Sequence, residues 1–153
     1  MSGLSHVNDR GEARMVDVAE REVTVRTAVA TGVVRTQAAD AISAGRVAKG
    51  DVLATARIAG IMAAKRTPEL IPMCHPIAIH GITVDLTVDE MTVRITATVR
   101  TADRTGVEME ALTAVSVAAL TIVDMTKSLD PAATITDIRV QNKSGGRSGD
   151  WTR

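Results

Sequence analysis

Aromatic residues are nearly missing from this sequence of 153 residues, which contains no Phe, no Tyr and one Trp. A core without aromatic rings has to be built from Val, Ile, Leu, Ala and Met. Recognition of bases by stacking on aromatic side chains is therefore nearly excluded, because Trp151 alone could offer a platform.

Cysteine and net charge are lacking as well. Cys74 is the only cysteine, which excludes an internal disulfide and a CxxC metal site and fits a reducing compartment. The 18 Lys and Arg residues balance 18 Asp and Glu residues, so no overall charge attracts nucleic acid or a membrane. An anionic ligand would have to be held by a local cluster of cations.

Long apolar runs are also absent, and no stretch is expected to approach the roughly 18 apolar residues that span a bilayer. The N-terminal segment carries polar side chains such as His6 and Glu12 where a signal peptide would be apolar. We therefore expect a single cytoplasmic domain over residues 1–153, with an arm at 1–20 and a Gly-rich basic tail at 142–153.

Alternation of apolar and polar residues predicts strands, and Ala-rich runs that end at Gly or Pro predict helices. In chain order we expect a strand at 22–34, helices at 36–45 and 52–66, strands at 81–88 and 92–101, a helix at 107–128 and a strand at 134–141. Asp89 and Glu90 are expected to turn the hairpin between the two middle strands. The order is close to the ferredoxin-like arrangement, so we predict an α+β fold whose antiparallel sheet has helices on one face.

Two of these helices are too apolar for one small subunit to cover. No charged residue occurs from Ala111 to Val123, and the helix at 52–64 has only Arg57. Because a helix that is apolar all round must be buried on all sides, we predict an oligomer. The alternative is an Ala- and Thr-rich surface that tolerates water.

Proline frames the first candidate site, since TPELIPMCHPIAIHG holds three of the four prolines and is expected to be a shaped loop. Its MCHP motif presents Cys74 and His75, and rigid loops are suited to presenting an imidazole. An exposed histidine without function is the alternative. Neither HxxxH nor CxxC accompanies the motif, which argues against a metal site.

Both ends of the long helix carry charge. Glu108 and Glu110 lie in its first turn, where acidic residues complement the helix dipole. Asp124 and Lys127 are three residues apart near the other end and could form an ordinary ion pair. Because Asp124 ends a run of 13 uncharged residues, it is expected to emerge from a buried surface, which favours function.

The tail segment KSGGRSGD combines Lys143 and Arg147 with three glycines. Glycines let backbone amides approach an anion closely, and the two cations add charge. The segment does not match a P-loop, and a flexible basic tail is the alternative. Lys49 could equally be a solvated loop lysine.

Four segments, taken together and in this order, resemble the cyclic pyranopterin monophosphate synthase family, the C proteins of molybdenum-cofactor biosynthesis. They are LSHVNDRGEARMVDV, KGDVLATARIAGIMAAKRTPELIPMCHP, TGVEMEALTAVSVAALTIVDM and KSGGRSGDW. The resemblance implies a ferredoxin-like α+β subunit, assembled as a hexamer of three dimers with the site at the dimer interface.

The resemblance also implies a lyase reaction. Its substrate would be 3′,8-cyclo-7,8-dihydro-GTP, made from GTP by a radical enzyme, and its products cyclic pyranopterin monophosphate and pyrophosphate. No cofactor, resident metal, nucleic acid or membrane partner is expected.

Matched position by position, the resemblance implies a catalytic aspartate at Asp124 and essential lysines at Lys127 and Lys49. Paired Asp and Lys suit the proton transfers of a ring rearrangement, and cations would stabilise the departing pyrophosphate. The residues expected to contact the substrate are Met73, Cys74, His75, Met109, Glu110 and Lys143.

This sequence departs from the family pattern at Val123, where Tyr is common, at Thr126, where Cys is common, and at Arg147, where Lys is frequent. None of these departures removes a titratable catalytic group.

Two other functions stay open from the residues alone. A non-catalytic purine-nucleotide-binding module would need Lys143 and the tail but not Asp124. A metal-dependent purine cyclohydrolase would use Cys74, His75 and a glutamate.

Overall fold

The computed structural model describes residues 3–153. In chain order its elements are β1 (Thr24–Arg35), α1 (Ala39–Ser43), α2 (Val52–Lys65), α3 (Thr67–Leu70), β2 (Ile79–Val88), β3 (Thr92–Asp103), α4 (Glu108–Thr126), β4 (Thr134–Ser144) and β5 (Trp151–Thr152). The predicted proline loop thus begins with a helical turn and ends inside β2.

The strands form one sheet in the order β2-β3-β1-β4-β5, and every neighbouring pair is antiparallel. The predicted α+β class with an antiparallel sheet is confirmed. The turn between β2 and β3 is closed by the Asp89 amide, which donates to the Thr92 carbonyl at 2.8 Å. Asp137 has a left-handed φ of 55°, and near it the β1–β4 register shifts.

Helices α2 and α4 pack beside each other, with α4 against β1, β3 and β4 and α2 against β2. Two glycines allow these close approaches. A Cβ on Gly32 of β1 would lie 2.6 Å from Val115 Cγ1, and one on Gly60 of α2 would lie 2.9 Å from the Ala114 carbonyl oxygen. The tight packing fixes α4 on the sheet and therefore fixes where its two charged ends lie.

The apolar character of α4 follows from this packing. The helix is long and apolar enough to cross a membrane by length and composition, so the prediction that no stretch approaches a membrane span was wrong. Its centre lies among the sheet and α2, where Ala111, Ala114 and Ile122 are completely buried. A core helix of this kind passes the same test of composition.

The chain covers α4 on more sides than a single sheet could, because α2 also lies against it. The large apolar side chains that these two helices leave at the surface include Leu120, 58% exposed, Ile58, 59% exposed, and Met62, 48% exposed. These three side chains, and not the whole circumference of α4, remain as support for the predicted oligomer.

The tail differs from a flexible segment. β4 continues to Ser144, and β5 pairs with it so that Trp151 lies opposite Lys143. Gly145 and Gly146 have left-handed φ values of 81° and 80°, and they turn the chain back. The tail is therefore a hairpin that extends the edge of the sheet.

Candidate active site

The C-terminal end of α4 brings together the three residues expected to be catalytic. Lys127 Nζ donates to Asp124 Oδ1 at 2.7 Å, and Lys49 Nζ donates to Asp124 Oδ2 at 3.2 Å. Lys49 also donates to the backbone carbonyl of Asp124 at 3.1 Å. Lys49 lies just before α2, whose N-cap Asp51 accepts from the Ala54 amide. The packing of α2 on α4 explains how a lysine 75 positions away reaches the aspartate.

Exposure, not burial, characterises this cluster, which we call the acid–base cluster (Lys49, Asp124 and Lys127). The side chain of Asp124 is 56% exposed, and it emerges beside Ile122 and Met125, which are buried. The hydrogen bonds from Lys127 and then Lys49 hold the pKa of Asp124 below its ordinary value. Asp124 is therefore a carboxylate at neutral pH.

Glu110, in the first turn at the opposite end of α4, is buried. It is 1% exposed, its Oε1 lies 3.5 Å from Cys74 Sγ, and its Oε2 has no partner among residues 3–153. Burial raises the pKa of Glu110. The cause of this rise is that a buried carboxylate loses hydration that its one contact here does not replace.

Cys74 shares this environment. Burial, followed by the negative charge of Glu110, raises the pKa of its thiol to about 11. The sulfur is therefore a neutral thiol at physiological pH and is a poor nucleophile. Its place beside Glu110 suits a contact with substrate better than covalent catalysis.

We expect Cys74 to react slowly with iodoacetamide. A pKa of about 11, in place of the usual 9.0, leaves roughly 100-fold less thiolate at about pH 8, and the rate should keep rising toward pH 11. Glu110→Gln should lower the pKa of the thiol and speed the reaction, because it removes the second largest cause of the shift. Glu108→Gln is the matched control with a smaller effect. If Cys74 of the wild type reacted as fast as the cysteine of a small peptide, the raised pKa of its thiol would be contradicted.

A cavity of about 360 Å³ opens beside Cys74. The other predicted substrate contacts that line it are Met73, His75 and Met109. His75 Nε2 lies 2.6 Å from the backbone carbonyl oxygen of Val16. We call this space the loop cavity. Glu110 does not line it, but its carboxyl contacts Cys74, which does.

Lys143 occupies a second, polar cavity of about 200 Å³. Its Nζ lies 3.1 Å from Glu108 Oε1 and donates to Ser148 Oγ at 3.2 Å. Arg147 also lines this space, which we call the cation cavity. Both cavities share Arg21 and Glu108 in their walls, so they adjoin each other.

Arg21 and Arg26 join Lys143 and Arg147 around the cation cavity, and the sequence analysis missed both arginines. Neither lies in a motif, and their position depends on pairing of β1 with β4, which places Thr27 opposite Ser144. Their presence turns a two-cation tail into a site with four cations, of which Lys143 is paired with a carboxylate.

The structure does not bring all the predicted residues into one place. Glu110 and Asp124 lie 14 positions apart on the same helix, which corresponds to roughly 21 Å along its axis. The acid–base cluster therefore lies at one end of α4, and the loop and cation cavities lie at the other.

The departures from the family pattern leave the acid–base cluster intact. Thr126 is completely buried, and its hydroxyl donates to the Ile122 carbonyl at 2.7 Å within the helix.

Within residues 3–153, no three His, Cys, Asp or Glu side chains are grouped as a metal site would require. A cyclohydrolase with Cys74, His75 and a glutamate as metal ligands therefore has no ligand set here.

An α+β subunit with a carboxylate between two ammonium groups and a separate cation cavity has the features of an enzyme that transfers protons on an anionic substrate. The MoaC family matches residues 15–146, and the chain belongs to that family. It is 61% identical over 152 residues to the cyclic pyranopterin monophosphate synthase of Streptomyces coelicolor, covering 98% of this chain and 89% of the relative.

Two further relatives carry the same description. Cyclic pyranopterin monophosphate synthase 2 of Mycobacterium tuberculosis is 62% identical over 152 residues, covering 98% of this chain and 91% of the relative. The synthase of a Roseiflexus species is 58% identical over 155 residues, covering 99% and 98%. The similarity therefore extends over both ends of α4 and over the arm.

Proposed function

We propose that this chain is a cyclic pyranopterin monophosphate synthase. It converts 3′,8-cyclo-7,8-dihydro-GTP into cyclic pyranopterin monophosphate with release of pyrophosphate, a lyase step of molybdenum-cofactor biosynthesis. The observation that carries the proposal is Asp124 held between Lys49 and Lys127, in a chain whose relatives are named for this activity over nearly its full length. The strand order supports the ferredoxin-like assignment.

The acid–base cluster carries the proton transfers of the ring rearrangement. Lys49 and Lys127 are the general acids and bases, because each ammonium group can donate a proton to a nitrogen or oxygen and recover it. Asp124 stays ionised and orients both lysines through its hydrogen bonds. The reaction as proposed needs only protein side chains and no resident cofactor, and the single cysteine fits a cytoplasmic setting.

The cation cavity holds the phosphate groups. A sugar oxygen attacks the α-phosphorus, the bond from that phosphorus to the bridging oxygen breaks, and pyrophosphate leaves with the charge. Arg21, Arg26, Lys143 and Arg147 stabilise that charge. Since Lys143 is paired with Glu108, a bound phosphate has to compete with or share this contact.

The active site is shared between two subunits. No compact substrate reaches both ends of α4 in one chain, which are roughly 21 Å apart. A neighbouring α4 running antiparallel would bring the acid–base cluster of one subunit to the loop cavity of the other. The exposed Ile58, Met62 and Leu120 supply apolar surface for such contacts. We infer a hexamer of three dimers, with the substrate as the other partner.

Turnover of the cyclised nucleotide tests the proposed reaction. Purified protein incubated with 3′,8-cyclo-7,8-dihydro-GTP should release pyrophosphate and form a pterin in equal amounts, and the pterin is measured by its fluorescence after chemical oxidation of the reaction mixture. Binding of the nucleotide without pyrophosphate would instead identify the chain as a nucleotide-binding module.

Replacing Lys143→Ala should mainly weaken substrate binding. The lysine contacts a carboxylate and a hydroxyl in a cavity suited to phosphate, so its loss should raise KM about 10-fold and leave kcat less affected. Salt should raise the KM of the wild type more than that of the variant, because ions screen this charge. Arg139→Ala, a basic residue on the same strand outside both cavities, is the control. An unchanged KM with a lower kcat would remove Lys143 from the phosphate site.

A further inference from the structure

The arm, residues 1–20, has a defined structure from Gly3 onward. Val7 pairs with Ala13, and the Arg14 amide donates to the His6 carbonyl at 2.8 Å. The side-chain oxygen of Asn8 accepts two backbone amides of the turn, at 2.9 and 3.0 Å. The segment LSHVNDRGEARMVDV therefore contains a small hairpin that its own sequence closes.

This arm forms one side of the loop cavity. The lining residues that come from it are Ser5, His6, Val16 and Val18, and Arg21 follows directly after the arm. They line the cavity together with the MCHP loop and the first turn of α4. The imidazole of His6 is held by a hydrogen bond of 2.8 Å between its Nδ1 and Ser5 Oγ.

One hydrogen bond joins the arm to the predicted substrate residues. His75 Nε2 lies 2.6 Å from the Val16 carbonyl oxygen. A carbonyl can only accept, so the ring must donate through Nε2–H. In the neutral ring Nδ1 then carries no proton and is the acceptor. A second partner that fixes the tautomer of a functional histidine is a common device in enzyme sites.

We propose that the arm is a positioning element of the substrate site. The Val16 carbonyl fixes His75 in the tautomer whose Nδ1 accepts a hydrogen bond from an N–H or O–H of the cyclised nucleotide. His6 adds a second imidazole to the same cavity as a substrate contact. The proposal rests on the proposed function for the identity of the substrate, but the state of His75 can be measured without turnover.

Nitrogen-15 NMR of the full-length protein tests the tautomer directly. At about pH 8, His75 should show a protonated Nε2 and an unprotonated Nδ1. A ring protonated on Nδ1, on both nitrogens, or averaging between tautomers would overturn the proposal. The result does not depend on whether the chain is a synthase.

Two replacements of His75 test the bond to the arm. In His75→Gln the amide nitrogen can take the place of Nε2 and still donate to Val16, whereas the side chain in His75→Asn is too short. Trypsin should cleave after Arg14 at nearly the wild-type rate in His75→Gln and about 10-fold faster in His75→Asn. Equal rates in the two variants would show that the bond does not hold the arm.

Kinetics of arm variants test the contribution to substrate binding. His6→Ala should raise KM about 10-fold, since a polar group that contacts the substrate is lost. Arg10→Ala, in the same hairpin but outside the cavity, should leave both constants within about twofold of wild type. Equal KM values for His6→Ala and wild type, in an enzyme that turns over normally, would overturn the role of His6 and leave the proposed function standing.

Discussion

Replacing Asp124→Asn should lower kcat about 1,000-fold, the size of effect expected when a group central to acid–base catalysis is lost. The amide keeps the shape of the side chain and removes the charge that pairs with Lys127 at 2.7 Å and Lys49 at 3.2 Å. Both lysines would lose the charge-assisted hydrogen bond that orients them. Lys127→Ala and Lys49→Ala should each abolish turnover as well.

The fold should not change in these variants. All three side chains of the acid–base cluster are more than half exposed, and exposed ion pairs contribute little to stability. The melting temperature of Asp124→Asn should therefore match that of Asp40→Asn, the matched control, which breaks the exposed pair with Arg46. Asp40→Asn should keep full activity. Near-normal pyrophosphate release from Asp124→Asn would remove Asp124 from the catalytic residues.

Strands that alternate apolar and polar residues could be predicted closely from the sequence. The hairpin of β2 and β3 has this pattern, and its turn falls at Asp89 as expected. The length of β4 could not be predicted from its own residues. Gly145 and Gly146 turn the chain back, so that Trp151 of β5 pairs with Lys143 of β4. Pairing between distant segments leaves no periodic signal in the tail itself.

The same distinction applies to the candidate site. The contact between Asp124 and Lys127 follows from their spacing on a helix, whereas the contact with Lys49 depends on the packing of α2 against α4. The contact of Arg26 with the cation cavity requires the sheet, and that of Val16 with His75 requires the folded arm. Local pattern therefore predicted the groups on α4, and only the tertiary structure revealed what surrounds them.

The buried or exposed state of the groups on α4 was predicted less well than their positions. Glu110 was expected to complement the helix dipole and to contact the substrate, and its side chain is buried. Asp124 was expected to emerge from a buried surface, and its side chain is 56% exposed. The reason is that the sheet and α2 cover the middle and the first turn of α4, while its last charged residues extend toward solvent.

Restoration of activity from two inactive variants tests whether the active site is shared between two subunits. Glu110→Ala and Asp124→Ala each remove one end of the proposed site. Mixed in equal amounts under conditions of subunit exchange, they would form mixed dimers in half of all pairings, and each mixed dimer would have one intact site of two. About one quarter of the wild-type activity should return.

A second mixture provides the control. Asp124→Ala and Lys127→Ala alter the same end of α4, where the two side chains are 2.7 Å apart, so no mixed dimer contains an intact acid–base cluster. With subunit exchange verified for both mixtures by native mass spectrometry, the measurement is the rate of pyrophosphate release. We predict about a quarter of the wild-type rate for Glu110→Ala with Asp124→Ala and none for the control. No recovery in either mixture would contradict the shared site and mean that each site is built within one chain.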